Sequence, residues 1–310
     1  MPFLLFAVFE EETFMDTVTQ HLLALHYITP VTVKTAANLI DKGWLQQFHQ
    51  LTTKQIAHAL RTNDKRALHI QQQFLEVNRT DFEAYYAKQA IKPLPFYFPN
   101  YPKGLLSIYD APAVLYAKGN VSLLARPAVA VIGSRQASDY TTRALQHILP
   151  RLCAEKIVTI SGLAIGADTL AHKLTIENKG QTVAVLGSGF YHIYPRQNEQ
   201  LAKHLSEQHL LLSEYAPYVK PARHHFPMRN RIVSGLAHAL IVTEAMKKSG
   251  TLITTEFALD EGKDVFVVPG PIDSKLSEGT NHLITEGAIP LINSEQIIEA
   301  LQRKIENELQ

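Results

Sequence analysis

Residues 224–259, HHFPMRNRIVSGLAHALIVTEAMKKSGTLITTEFAL, decide the fold class. Phe226-Pro227 closes an irregular approach, and Arg229-Asn230-Arg231 is expected to open a helix. The apolar run Leu236 to Val242 stops at Thr243-Glu244, which reads as a buried strand with a polar carboxyl end. Ser249 then stands where an N-cap is expected. Gly250 and Thr251 open a second helix, with Leu252, Ile253, Phe257 and Leu259 on its apolar side. A buried strand that turns through glycine into a helix, next to clustered bases, is how an open α/β sheet builds an anion site. No Asp or Glu lies between Glu214 and Glu244, while Lys220, Arg223, Arg229 and Arg231 fall in that gap and Lys247 and Lys248 just beyond it.

Outward from this stretch toward the N-terminus, strand–turn–helix units repeat. Strands are expected at Ala128–Ile132, Ile157–Ile160, Thr182–Leu186, Leu210–Leu212, Leu240–Val242, Val265–Val268 and Pro290–Ile292, with helices from about Thr141 to Glu155 and Gly166 to Glu177. Strands apolar on both faces imply a parallel sheet covered on both sides, and almost every one ends in Gly, Ser, Thr or Glu at the edge where such sheets bind ligands. The fold class is therefore α/β, a doubly wound and mostly parallel sheet.

The N-terminal third differs. Helices are expected at Phe14–Leu25, at Val33–Leu45 with a break at Gly43, after Thr52-Thr53, and after an Asn63-Asp64 cap. They outline a small all-α domain of the helix-hairpin-helix or SAM-like kind, assigned residues 1–85, ahead of the α/β domain at 86–310. Lys65, Arg66 and His69 read as ordinary surface charge. Residues 91–120, rich in Pro, Tyr and Phe, read as an extended packed connector with a strand at Val114–Tyr116.

Composition sets bounds. The 310 residues carry a formal net charge of +1, so any basic site must be local. The single cysteine, Cys153, excludes an internal disulfide framework and a cysteine zinc site, and reads as core. The start MPFLLFAVFEEE is too short to span a membrane and lacks a basic leader region, which leads to the expectation of a soluble cytoplasmic protein.

Gly133-Ser134-Arg135 follows the first core strand, where free amides and a guanidinium can receive a phosphate. Ser161, Gly162 and Gly166 frame a helix start, but the G-K-[ST] ending of a P-loop is missing, and G-x-G-x-x-G is absent, so neither ATP nor NAD is expected. Asp168 at that helix start is a dipole partner, and His172 one turn on could pair with it. Phe190, Tyr191 and Tyr194 offer rings, beside Arg196 and Asn198, for a nucleic-acid strand. His224-His225, being adjacent, should splay apart; no metal or cofactor is expected, and no residue set makes a convincing catalyst, although Glu214 and Glu244 at strand ends leave a paired-carboxylate hydrolase conceivable.

Together VIGSR (131–135), SGLAIGADTLAH (161–172), GSGFYHIYPRQN (187–198), LSEYAP (212–217), HFPMRNRIVSGL (225–236), EAMKKSGTLIT (244–254) and VFVVPGPIDSKLSEGTNHLITEGA (265–288) resemble the DNA-processing protein A (DprA/Smf) family, as does the lead-in YPKGLLSIYDAPAVLYAKG (101–119). The resemblance covers roughly residues 100–292. It implies an extended Rossmann-like core that binds single-stranded DNA, forms a homodimer, loads the recombinase RecA onto incoming DNA during natural transformation, and turns over no substrate. It places DNA on Arg135 and Arg196. The resemblance is not expected to extend to the C-terminal winged helix that many members of the family carry.

The expected DNA site comprises Gly133, Ser134 and Arg135; Ser161, Gly162 and Gly166; Arg196 and Asn198; Arg229, Asn230 and Arg231; and Lys248, Ser249, Gly250 and Thr251. Arg135, Arg196, Arg229 and Arg231 are expected to line one groove, with pairing of Arg229 or Arg231 to Glu214 or Glu244 as the alternative. Ile272, Leu276, Leu283 and Ile284 are expected at the dimer interface, with packing of Leu283 and Ile284 on the sheet as the alternative. A reading from another class is a phosphoribohydrolase that resembles lysine decarboxylases, for which Lys248–Leu252 is a partial echo of the P-G-G-x-G-T-x-x-E loop and Glu256 a late carboxylate.

Overall fold

A computed structural model describes residues 15–247 and 249–308. The chain divides into two compact units.

The smaller unit comprises residues 1–101, 110–117 and 214–216. Its described helices are α1 (Thr17–Ile28), α2 (Val33–Asp41), α3 (Thr53–Ala59), α4 (Asp64–Val77) and α5 (Phe82–Ala87). Local chemistry starts each one. Asp16, Thr32, Asn63 and Asp81 accept from the amides of Thr19, Thr35, Arg66 and Ala84, and Thr52 with Gln55 closes a capping box on α3. α1 runs three residues beyond the expected end, and Phe14 lies outside the described residues. α2 stops at Asp41, short of the expected Leu45, and the chain leaves through Gly43 at φ +65°. α5 was not anticipated from sequence.

β1 (Lys92–Pro95) and β2 (Val114–Gly119) pair antiparallel, with Lys92 opposite Ala117 and Pro95 opposite Val114. Phe48 lies on Phe74 with centroids 4.8 Å apart, and Tyr86 stacks on Phe82 and tilts against Tyr116, both at 5.5 Å. Each such buried ring contributes about 1.5–3 kcal/mol by area, plus about 0.5–1.5 kcal/mol where rings meet.

The larger unit holds seven parallel strands. In chain order it runs β3 (Ala128–Ile132), α6 (Asp139–Ala154), β4 (Val158–Ser161), α7 (Ala167–Glu177), β5 (Thr182–Leu186), α8 (Glu199–Gln208), β6 (Leu210–Ser213), α9 (His225–Leu236), β7 (Ala239–Val242), α10 (Gly250–Asp260), β8 (Asp264–Val267), α11 (Glu278–Thr285), β9 (Ile289–Pro290) and α12 (Glu295–Glu308). Within this unit the spatial order is β6-β5-β4-β3-β7-β8-β9. Val129, Val131, Ala239 and Ile241 share one buried cluster with Leu145 and Leu149 of α6, Leu174 of α7 and Ile297 of α12. The alternate residues Ala130, Ile132, Leu240 and Val242 point to the opposite face, where α9 and α10 pack. The fold is α/β, doubly wound and mostly parallel, as expected.

Three local expectations fail. α9 begins at His225, so Arg229–Arg231 lie inside the helix, not at its start. Pro227 falls in the first turn, where a missing N–H costs nothing. Leu236 ends that helix, and the strand begins only at Ala239; a short apolar run does not distinguish a helix end from a strand start. Ser249 occupies the N-cap position of α10 without a side-chain cap bond. No helix among the described residues is long and apolar enough to cross a membrane.

Candidate nucleic-acid interface

The strand order reverses between β3 and β7: the chain builds outward from β3 to β6 on one side, then returns to place β7 on the other. Loops diverge at such a point and leave a crevice at the carboxyl edge. A cavity of about 420 Å³ lies there. It is lined by Gly133–Gln136 after β3, Gly162, Ala164 and Asp168 after β4, Phe226, Arg229 and Asn230 of α9, and Met246 with Ser249–Thr251 after β7.

The loops leave no slack. A Cβ at Gly133 would lie 2.2 Å from Thr243 Oγ1, and one at Gly166 would lie 2.4 Å from the Ser134 carbonyl oxygen. Gly166 also holds φ +80°, a conformation that L side chains rarely adopt. Ser134 is buried; its hydroxyl accepts from the Gln136 amide at 3.0 Å, its carbonyl from the Ala167 amide at 3.1 Å. Arg135 is therefore held at its backbone, while its side chain is exposed and in no ion pair among the described residues.

Arg229 lines the same cavity but is 4% exposed. Its Nη1 donates to the carbonyls of Gly162 and Val185, and its Nε donates to Asn230 Oδ1 at 3.1 Å. Asp168 stands beside it, accepting from the amides of Gly162 at 3.1 Å and Ala164 at 3.2 Å. Burial pushes the Asp168 carboxyl above its ordinary range, against the pull of Arg229 and these donors. The group acts as a clasp between α9 and the β4–α7 loop.

The structure thus brings Arg135 and Arg229 together, but not all four arginines. Arg231 is 1% exposed and does not line the cavity. Residues two apart on a helix point about 200° apart, so Arg229 and Arg231 do not share a face. Arg196 is exposed, outside this cavity and outside a smaller hollow beside it formed by Arg135, Ile165, Tyr194 and Phe226. Asn198 is buried, its amide donating to Leu163 O at 2.9 Å and Thr169 Oγ1 at 2.8 Å. Ser161 is buried, its hydroxyl donating to Val131 O at 2.6 Å. Thr251 Oγ1 donates to Gly133 O at 3.2 Å, and the Ser249 hydroxyl is shielded without a partner. Gly250 is exposed, and Lys248 lies outside the described residues.

Three expected side-chain relations are overturned. Asp168 and His172 do not pair: His172 Nδ1 lies 2.7 Å from Thr182 Oγ1, whose own proton goes to Thr159 O. The imidazole therefore donates from Nδ1, and burial drives its pKa down to about 3. His224 and His225 do not splay; their rings meet at 4.5 Å, and among the described residues no group could hold a metal ion. Glu244 is not free for catalysis, because its carboxylate accepts from Ser138 N and Oγ and from Thr141 Oγ1 at 2.7–2.8 Å, fastening the start of α6. Glu256 is exposed on α10 and does not line the cavity.

Phe226 was not singled out as a lining residue. Its ring lies 5.3 Å from that of Tyr194, and a Cβ at Gly187 would meet it at 2.9 Å. The glycine in Gly187-Ser188-Gly189 was the available signal.

Fold and cavity define an open α/β protein with a cavity at the switch point of the sheet. The sequence profile of the DNA recombination-mediator protein A family matches residues 93–302, and the chain belongs to that family of DNA-processing proteins. It is 43% identical over 222 residues to the DNA processing protein DprA of Bacillus subtilis, covering 71% of this chain and 75% of that one. The DprA structure from Streptococcus pneumoniae superposes with a TM-score of 0.76 at 36% identity, covering 92% of this chain and 98% of that chain. The Helicobacter pylori DprA structure, described for its single-stranded DNA binding mode, gives a TM-score of 0.62 at 29% identity over 69% of this chain and 96% of that one.

Proposed function

We propose that this chain is a single-stranded DNA-binding recombination mediator that protects incoming DNA and loads RecA onto it in the cytoplasm during natural transformation, as a homodimer and without enzymatic turnover. The observation that carries this reading is the switch-point cavity, where the exposed guanidinium of Arg135 stands on a glycine-tight turn and also lines the adjoining hollow that holds the exposed ring of Tyr194. A free cation next to a ring suits a phosphate and its neighbouring base on a flexible strand. Family membership and the single-strand binding of the Helicobacter pylori relative support it. The carboxylates around the cavity serve structural bonds: Asp168 holds the β4–α7 loop beside Arg229 and Glu244 holds α6. Among the described residues Asp168 is the one carboxylate lining the cavity, and its bonds to the Gly162 and Ala164 amides weigh against the phosphoribohydrolase alternative.

The test is a titration of single-stranded oligonucleotides of increasing length across a range of salt. A backbone groove gives affinity that grows with length and a negative slope of log K against log salt, each single-strand phosphate contributing about −0.7. Affinity that stays flat with length overturns the reading.

A further inference from the structure

We propose that the smaller unit carries a second nucleic-acid backbone contact, a basic hollow formed by α2, the end of α3 and the start of α4. Two adjoining depressions open there and share Lys34, Thr35 and Arg61. Lys42 rims the first, Arg66 and Asp110 the second. Four full positive charges face the single carboxylate of Asp110, a formal local charge of +3 in a chain whose total is +1. All four cations are exposed, and none is in an ion pair among the described residues.

The fold gathers these charges from separate stretches of sequence. The Thr62 amide bonds back to Ala57 O at 2.9 Å, which closes α3 with Arg61 at φ +49°. A non-glycine residue in that region is uncommon and is held by its surroundings. The Asn63 cap then sets Arg66 in the first turn of α4, with its amide on Asn63 Oδ1 at 2.9 Å. Lys42 Nζ rests 4.6 Å over the Trp44 ring. The sequence reading grouped Arg66 with Lys65 and His69 as a surface face; the fold groups it with α2.

The polar part of the lining is cationic and hydroxylic, with Thr29, Thr35, Thr62 and Asn38 supplying donors; His58 is its one aromatic ring, and no Phe, Tyr or Trp lines it. Such a surface fits phosphate oxygens and carries no sequence information. Several separated cations fit a polyanion better than a single small anion, and a DNA strand is the polyanion under the proposed function, on which this choice of partner rests.

The experiment uses the full chain. Salt-dependent binding of a single-stranded oligonucleotide is measured for wild type, Arg135→Ala, the triple variant K34Q/K42Q/R66Q, and the combination. A photo-crosslinking amino acid at Thr35 gives a second readout. If the hollow grips the backbone, the triple variant flattens the salt slope by about 2, three contacts at about 0.7 each, in both backgrounds and with an unchanged melting temperature. The position-35 crosslink to DNA then survives in Arg135→Ala. If the triple variant leaves slope and affinity unchanged while Arg135→Ala alters them, the hollow is not a DNA contact and the proposed function still stands. If the triple variant acts and Arg135→Ala does not, the hollow stands and the cavity reading falls. A crosslink to an acidic polypeptide but never to an oligonucleotide also overturns the proposal.

Discussion

Arg135 and Arg229 line one cavity, and their burial separates binding from folding. Arg135→Ala removes an exposed side chain, so thermal stability should stay within about 0.5 kcal/mol of wild type. DNA affinity should fall alike for all sequences, with a salt slope flatter by about 0.7. Arg229→Ala removes a buried charge, leaves the carbonyls of Gly162 and Val185 without their donor and takes the neighbouring positive charge from Asp168. It should cost about 3–5 kcal/mol of stability, read as a lowered denaturant midpoint. If Arg229→Ala melts like wild type, the clasp is not structural. His172 supplies a pH dependence with a definite sign. Burial holds its folded pKa near 3, below its ordinary value, so the unfolded chain binds the extra proton. The stability that follows is present above the ordinary histidine pKa of about 6.5 and is lost as pH falls toward the folded value. The single-proton slope approaches about 1.4 kcal/mol per pH unit in that window. His172→Asn keeps a donor for Thr182 but cannot titrate; it should unfold with a pH dependence flatter by that amount between pH 6 and 4.

At the scale of elements, the loops after β3 and β4 lock together through glycine. Gly166→Ala places a Cβ 2.4 Å from the Ser134 carbonyl at a φ of +80°, and should cost at least about 1–3 kcal/mol. Differential scanning calorimetry checks it, and an unchanged transition would show that the β3–α6 turn yields freely. Elements of this sheet were legible because runs such as 128–132 and 182–186 are short, rich in valine and isoleucine, and stop at Gly133 and Gly187, which together favour a strand covered on both faces. The α9 start was not legible, because His224-His225-Phe226-Pro227 contains no capping side chain and a proline normally reads as a break. The cavity was legible as glycine turns at strand ends. The burial of Arg231 was not, because a charge run reads as surface; only its two-residue offset from Arg229 within one helix could have separated the pair. The burial of Asn198 and Ser161 in internal hydrogen bonds was hidden for the same reason in reverse. Polar side chains beside a ligand edge also hold the loops, and sequence does not say which bonds they make.

At the scale of the whole molecule, the proposed dimer rests on unequal side chains. Ile272 is 97% exposed, whereas Leu283 is 7% exposed within α11, and Leu276 and Ile284 are half-buried. Of the four, Ile272 alone is open enough to meet a partner without any rearrangement of the chain. Ile272→Asp should therefore give a folded monomer by sedimentation, whereas Leu283→Asp should lower stability whether or not the chain associates. A wild type that sediments as a monomer at micromolar concentration removes the dimer from the proposed function.

The smaller unit is stitched from three stretches of chain, so the backbone passes from one unit to the other five times before it ends. The stitches are substantive. Tyr116, from the second stretch, is fully buried beside Tyr86, and the carbonyl of Glu214, from the third, accepts from His26 at 2.8 Å. Such a unit cannot be inherited or lost as a cassette by one recombination event, because no single crossover excises it. Truncation from the N-terminus removes only the first of the three stretches and uncovers the apolar surface of what remains. Expression of residues 86–310 alone should accordingly yield aggregate, and polar substitution at Tyr116 and Leu94 should restore solubility to that fragment.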